Sequence, residues 1–324
     1  MQVTLDWLAC LARQHPEVFG DGPCVPEALE VPPASSHESR VYGANGARVH
    51  VKFFRRTRGP TSVTYDPCRE MASEYDTLKE FEKNGFASGR HRIVRALGFN
   101  EGLDCALATV YVPGDTLLSV IQRTLEGDDD EELLSALGLT AGLLRKIHAL
   151  MPQSVAVDGA DTFYSYLKPV LYLEEMGALD GFHRRIMGGL SRWYGHKPLF
   201  EQRGVTVHGD ANPSNFKIHE GIIYGFDVER SRPGSSPLMD VGTMVAELKH
   251  HCAHITGDMG NAGPYVERFL KAYAPSQKEY KMINGLLPFY VSRAFFKIAM
   301  LSYWKRDYRR YLVEAGTRCI EEGP

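Results

Sequence analysis

The apolar pattern of this chain changes character at Val112-Pro113-Gly114, and that change limits what the chain can fold into. Ahead of it, short strand-like runs surround one long helical stretch. Beyond it the spacing is almost wholly helical. Strands grouped before helices point to an α+β fold rather than an alternating α/β sheet. At 324 residues the chain is long enough for two units, each with its own core. The break predicts a strand-rich N-terminal unit at 1–112 and a helical C-terminal unit at 113–324.

Within the first unit, residues 4–13 are predicted helical, with Thr4 as the cap. Strand-like residues 40–42 and 48–54 flank Asn45-Gly46, a favoured hairpin turn. Residues 68–84 read as a helix carrying Met71, Leu78 and Phe81, with Gly85 just past its end. Strands at 92–99 and 104–112 form a second hairpin around Asn100-Glu101-Gly102. In the second unit, helices are expected at 116–125, 131–149, 162–177, 180–193, 238–255, 263–273 and 286–313. A β-rich island at 204–228 interrupts them.

Charge excludes some classes of function. Lys and Arg number 37 against 40 Asp and Glu, a net charge of −3, so nucleic acid and membrane surfaces are not expected partners. The six cysteines are widely spaced and form no CxxC pair, which favours free thiols and a cytoplasmic setting over a disulfide framework. Asp6 interrupts the first apolar stretch and no basic lead precedes it, so a signal peptide is not expected. The apolar runs are too short to span a bilayer.

The island carries the chemistry. Two short apolar strands present Asp210, Asn215 and Asp227. Asp and Asn are hard oxygen donors of the kind magnesium prefers when it bridges phosphates. A single Asp-containing loop is better read as turn chemistry. An apolar strand ending in Asp227-Val228-Glu229 is not.

His208-Gly209-Asp210, with Asn215 five residues on and Phe226-Asp227-Val228-Glu229 after it, resembles the signature of the aminoglycoside phosphotransferase and choline kinase family. The resemblance continues in order along the chain. Lys52 lies in Val-His-Val-Lys-Phe-Phe and Glu74 in the following helix. Val112 to Leu117, Leu144 to Leu150 and Met239 to Gly242 also resemble family segments. It implies a protein-kinase-like, two-lobe fold with a small antiparallel sheet and a larger helical lobe. It also implies an ATP- and magnesium-dependent phosphoryl transfer to a hydroxyl, with GTP left open as donor. Asp210 would be the general base, and Asn215 and Asp227 would hold Mg2+, with help from Glu229. Lys52 would contact the nucleotide phosphates and pair with Glu74, and the backbone of Thr109, Val110, Tyr111 and Val112 would meet adenine. His208 and Asp240 would brace the catalytic loop.

Some features depart from the pattern. The loop from Pro33 to Ser39 has no glycine and would offer Ser35, Ser36 and backbone N–H groups to phosphates. No Asp-Phe-Gly or Ala-Pro-Glu follows, which disfavours an atypical protein kinase, the first alternative. The second alternative, a non-catalytic nucleotide-binding protein, is disfavoured because Lys52, Asp210, Asn215 and Asp227 are all present.

The acceptor is constrained only by charge. Residues 241–324 hold twelve Lys and Arg against eight Asp and Glu, a local charge of +4, with Lys297, Lys305, Arg306, Arg309 and Arg310 on the expected last helix. That favours a neutral or anionic small molecule over a polycation: a sugar, sugar phosphate, nucleoside-like alcohol or amino alcohol. His250 and His254, four apart, read as a polar helix surface rather than a zinc site. Oligomeric state is not encoded legibly.

Overall fold

The computed structural model describes residues 2–21, 25–30, 37–57, 64–127, 129–150 and 152–324. Ser35 and Ser36 lie outside them. The chain divides into two units, Met1–Gly114 with Tyr224–Glu229, and Asp115–Ile223 with Arg230–Pro324.

The first unit contains α1 (Gln2–Gln14), α2 (Pro16–Phe19), β1 (Glu27–Glu30), β2 (His37–Ala44), β3 (Ala47–Thr57), α3 (Pro67–Phe81), β4 (His91–Ile93), β5 (Ala96–Asn100) and β6 (Ala106–Val110). Five strands form one sheet in the order β1-β2-β3-β6-β5, with antiparallel neighbours. Asn45 and Gly46 both have positive φ, 50° and 79°, and Ala44 pairs with Ala47 around them. This is the tight turn whose twist matches a hairpin.

Alternation along β3 sorts its side chains by face. Val49, Val51 and Phe53 join Leu8, Leu11 and Phe19 of the N-terminal helices in one buried cluster. Lys52 points the other way and is itself buried. α3 buries Met71, Glu74, Leu78 and Phe81, a spacing of three and four residues that lines one helix face. Asp66 caps it, accepting from the amides of Cys68 and Arg69 at 3.1 and 3.3 Å, with Pro67 at the first helical position.

Two expectations fail here. Thr4 is no cap: the helix starts at Gln2, and Thr4 is buried within its first turns. The cysteines are not all free thiols. Cys68 and Cys105 form a disulfide that ties the first turn of α3 to the strand hairpin, while Cys10, Cys252 and Cys319 are free. A separation of 37 residues hides this pair in the sequence; the fold brings the two Cα atoms to 5.1 Å.

The second unit begins at β7 (Asp115–Thr116) and continues with α4 (Leu117–Glu126), α5 (Asp130–Leu150), β8 (Pro152–Ala156), α6 (Gly159–Glu175) and α7 (His183–Tyr194). The island follows as β9 (Arg203–Val207), β10 (Phe216–His219), β11 (Ile222–Gly225), whose last two residues belong to the first unit, and β12 (Arg232–Ser235). Then come α8 (Leu238–Thr256), α9 (Gly263–Tyr273), α10 (Gln277–Ala299) and α11 (Arg306–Glu321). β9 lies between β12 and β8, and β10 pairs with β7. α8 is buried over most of its length. Gly242 lets it approach α10 closely, since a Cβ there would lie 2.5 Å from the Cβ of Tyr290.

The single helix expected at 286–313 is two helices with a break at 300–305. No glycine or proline marks the break. The indole of Trp304 donates to the Ile298 carbonyl at 3.0 Å and the Arg309 Nε to the Ala299 carbonyl at 3.0 Å. Side chains thus satisfy carbonyls that a continuing helix would have used. Lys297 therefore sits on α10, apart from Arg306, Arg309 and Arg310 on α11. No helix among the described residues is long and apolar enough to cross a membrane.

Candidate active site

In the first unit the centre is the Lys52 ammonium. Its Nζ lies 2.9 Å from Glu74, 3.3 Å from Asp227 and 2.8 Å from Glu229. β3 delivers the lysine, α3 delivers Glu74, and the segment Tyr224–Glu229 delivers the other two carboxylates. Asp227 adopts a left-handed backbone, φ 49°, a conformation uncommon outside glycine and concentrated at functional sites. Burial opposes the Lys52 charge, but Glu74, Asp227 and Glu229 outweigh it and hold its pKa well above the usual range. Burial and the charges of Asp227 and Glu229 push the Glu74 carboxyl upward against the pull of Lys52. One ammonium among three carboxylates leaves an excess of hard, negative oxygens. That donor set fits a magnesium ion.

The segment expected to meet adenine is partly committed. The Val110 amide donates to the Arg95 carbonyl and the Tyr111 amide to the Arg48 carbonyl, each at 3.0 Å. Thr109 is paired within the sheet, opposite His50 and Ala96.

In the second unit the centre is Asp210, three residues past the end of β9. Asp240, in the first turn of α8, accepts from the amides of His208 at 2.7 Å and Gly209 at 2.9 Å. It also contacts His148 Nε2 at 3.0 Å, and His148 Nδ1 reaches the Tyr273 hydroxyl at 2.7 Å. Burial raises the Asp240 pKa, but His148, His208 and the Gly209 amide outweigh it and hold it below the usual carboxylate range. The Asn215 side-chain amide donates to the Asp210 carbonyl at 2.9 Å, and its oxygen accepts from the Ser214 hydroxyl at 3.3 Å. His208 is fully buried against Phe216.

Gly209 has φ 86°, and a Cβ there would lie 2.0 Å from the Arg230 carbonyl oxygen. No side chain fits. Gly209→Ala should cost about 2–4 kcal/mol, by strain plus displacement of the Arg230 backbone, and should impair turnover with it. Urea denaturation together with kinetics measures both; a variant of unchanged stability would refute the close approach.

The sequence reading missed the role of Lys297. Its Nζ is 2.5 Å from Asp210 Oδ1. Burial opposes ionisation of Asp210, but Lys297, Arg230 and His208 outweigh it and keep the carboxyl below its usual range. Glu247 on α8 lies in the same field; burial first, then Asp210, pushes its carboxyl up to about 7. The only signal in the sequence was a lysine on an aromatic-rich helix, which reads as surface.

The expected polar surface holds for His254, which is exposed, and fails for His250. His250 is buried, its Nδ1 is 2.8 Å from the Tyr308 hydroxyl, and both rings pack around Trp304. Burial, with the neighbouring His251 and His254, pushes His250 down to about 3, so it is neutral at physiological pH.

A strand-rich unit with a buried lysine–glutamate pair, and a helical unit with a carboxylate loop braced by an aspartate, define a kinase-like phosphotransferase of two-lobe α+β architecture. The chain belongs to the phosphotransferase enzyme family, whose sequence profile matches residues 32–281. No curated protein sequence matches it. Among solved structures it is similar to a putative aminoglycoside phosphotransferase from Ralstonia eutropha JMP134, at 14% identity and TM-score 0.61 over 98% of each chain. It is similar to an ethanolamine kinase of Plasmodium vivax, at 12% identity and TM-score 0.58 over 97% of this chain and 87% of that one. It also resembles a thermostable mutant of the aminoglycoside phosphotransferase APH(4)-Ia in complex with ADP and hygromycin B, at 14% identity and TM-score 0.58 over 95% and 97%.

Proposed function

We propose that this protein transfers the γ-phosphate of ATP to a hydroxyl of a small molecule, with magnesium, and that Asp210 accepts the hydroxyl proton. The observation that carries the reading is the Lys52 ammonium held among Glu74, Asp227 and Glu229. Such a group serves phosphates through the cation and a divalent metal through the surplus carboxylates. Asp227 and Glu229 would hold that metal in the first unit, and Asn215 keeps the ligand role the family resemblance gives it. Magnesium, when bound, neutralises charge on the phosphates. Lys52, oriented by Glu74, binds the phosphate oxygens. Lys297 keeps the Asp210 carboxylate ionised and oriented, and Asn215 holds its backbone through the carbonyl, ready for it to take a proton. Its low basicity suits a loose transition state in which proton removal comes late. His208 and Asp240 hold the loop in shape. The proposed division is a nucleotide-binding unit at 1–112 and an acceptor-binding unit at 113–324.

The solved relatives include an ethanolamine kinase and an aminoglycoside phosphotransferase holding ADP and hygromycin B, which supports a small hydroxylic acceptor and a nucleotide donor. The test is a screen of sugars, sugar phosphates, amino alcohols, nucleosides and antibiotics with ATP or GTP and magnesium. Phosphorylation of one small-molecule class is expected, and it should disappear in Asp227→Ala. Full turnover by that variant would remove Asp227 from the metal site, and phosphate found only on protein hydroxyls would favour a protein kinase.

A further inference from the structure

We propose that the acceptor carries an anionic group, a phosphate monoester or a carboxylate, seated on Arg293, Arg232 and Arg230 beside Asp210. The inference rests on the small-molecule kinase reading and specifies its acceptor.

Four cations converge on the catalytic loop within the second unit. Arg293 and Lys297 stand four residues apart on α10 and so share a helix face. Lys297 closes on Asp210, which turns that face toward the loop. Arg232 pairs in register with Val207, three residues before Asp210. Arg230 lies against the loop through its carbonyl, in the close approach to Gly209.

α6 holds two of the arginines in place. Asp161 pairs with Arg232 at 3.3 Å. Ser165, one turn further on, accepts from Arg293 Nε through its carbonyl at 3.2 Å and its hydroxyl at 3.0 Å. Both bonds use Nε, and no ion pair of Arg293 with a carboxylate occurs among the described residues. Its two terminal nitrogens remain as a fork, the geometry that grips a carboxylate or phosphate through two parallel bonds. Burial, then the charges of Arg232 and Arg230, outweigh Asp210 and Asp240 and push the Arg293 pKa down to about 10, still a cation at neutral pH. Guanidiniums that repel one another on partly buried ground are costly, and a bound anion removes that cost. A polycation meets the same field as repulsion.

Lys297 is committed to the Asp210 carboxylate itself. Arg293 and Arg232, tethered to α6, are placed for an anion on the acceptor. Two kinds of measurement separate the seat from the parent reading.

The first is binding. With the nucleotide site filled by a non-hydrolysable ATP analogue and magnesium, millimolar inorganic phosphate should raise the melting temperature of the wild type. It should not raise that of Arg293→Met or Arg232→Met. Arg230→Met, at an exposed position, serves if a buried substitution fails to fold. Absence of wild-type stabilisation, or its survival in these variants, would overturn the seat.

The second is turnover on matched acceptors: ribose and ribose 5-phosphate, glycerol and glycerate, ethanolamine and serine, with kanamycin as the polycation. The anionic member should win by about tenfold or more in kcat/KM, the worth of one charge-assisted pair. Arg293→Met should raise the acceptor KM about tenfold with the KM for ATP unchanged, and Arg293→Lys should recover part of it. Preference for the neutral or cationic members, or an effect confined to the KM for ATP, would overturn the seat. Failure of every acceptor, alongside intact phosphate stabilisation, would count against the kinase reading while supporting the seat.

Discussion

Asp210→Asn should lower kcat by about 10²–10⁴-fold, the usual contribution of a general base, with little change in the KM for ATP. Asparagine keeps the shape of the side chain and removes its charge. The loop itself should persist, because its anchors lie elsewhere: the His208 and Gly209 amides on Asp240, and the Asn215 amide on the Asp210 carbonyl. What is lost is the acceptor for the proton and the counter-charge of Lys297. Steady-state kinetics with a melting curve on the same preparation separates chemistry from folding. A fall of less than about tenfold with an intact fold would deny Asp210 the role of base.

Lys52→Met should be costly twice. Activity should drop by about 10²–10³-fold, as for removal of one preorganised electrostatic partner. Stability should drop by about 3–5 kcal/mol, because Glu74 is left buried beside Asp227 and Glu229 with no cation. The double variant Lys52→Met with Glu74→Gln makes the two effects separable. Neutralising Glu74 removes the uncompensated charge, so most of the stability should return while activity stays lost. Urea denaturation and turnover assays of the three proteins complete the cycle. Recovery of activity in the double variant would show that Lys52 acts only by balancing charge within the fold.

Sequence reading went furthest where a pattern is local. The Asn45-Gly46 hairpin, the helix carrying Met71, Leu78 and Phe81, and the island around Asp210 each announce themselves through turn chemistry or period. It failed where distant residues decide the outcome. The disulfide joins Cys68 to Cys105 across 37 residues with no motif. The break after α10 is made by Trp304 and Arg309 reaching back to carbonyls, without a glycine or proline to signal it. His250 lies buried under Trp304 and Tyr308 although its spacing with His254 reads as a polar helix surface.

The charge of the C-terminal region divides along the same line. Its excess of basic residues is plain in the sequence, but their uses are not. Arg309 caps a helix, Arg310 lies over the Phe182 ring, and Arg318 pairs with Glu314. Only the fold brings Lys297 onto Asp210 and ties Arg293 to Ser165 of α6.

From its residues alone this chain determined its class, an α+β phosphotransferase with Lys52, Glu74, Asp210, Asn215 and Asp227 in the family's order. Catalytic groups are legible because the chemistry restricts both their type and their spacing in short segments. Tertiary structure decided the electrostatics: which carboxylates share the Lys52 ammonium, and which cations surround Asp210. Those pairings form between elements tens to hundreds of residues apart, and their strength depends on burial and distance, neither of which a sequence states.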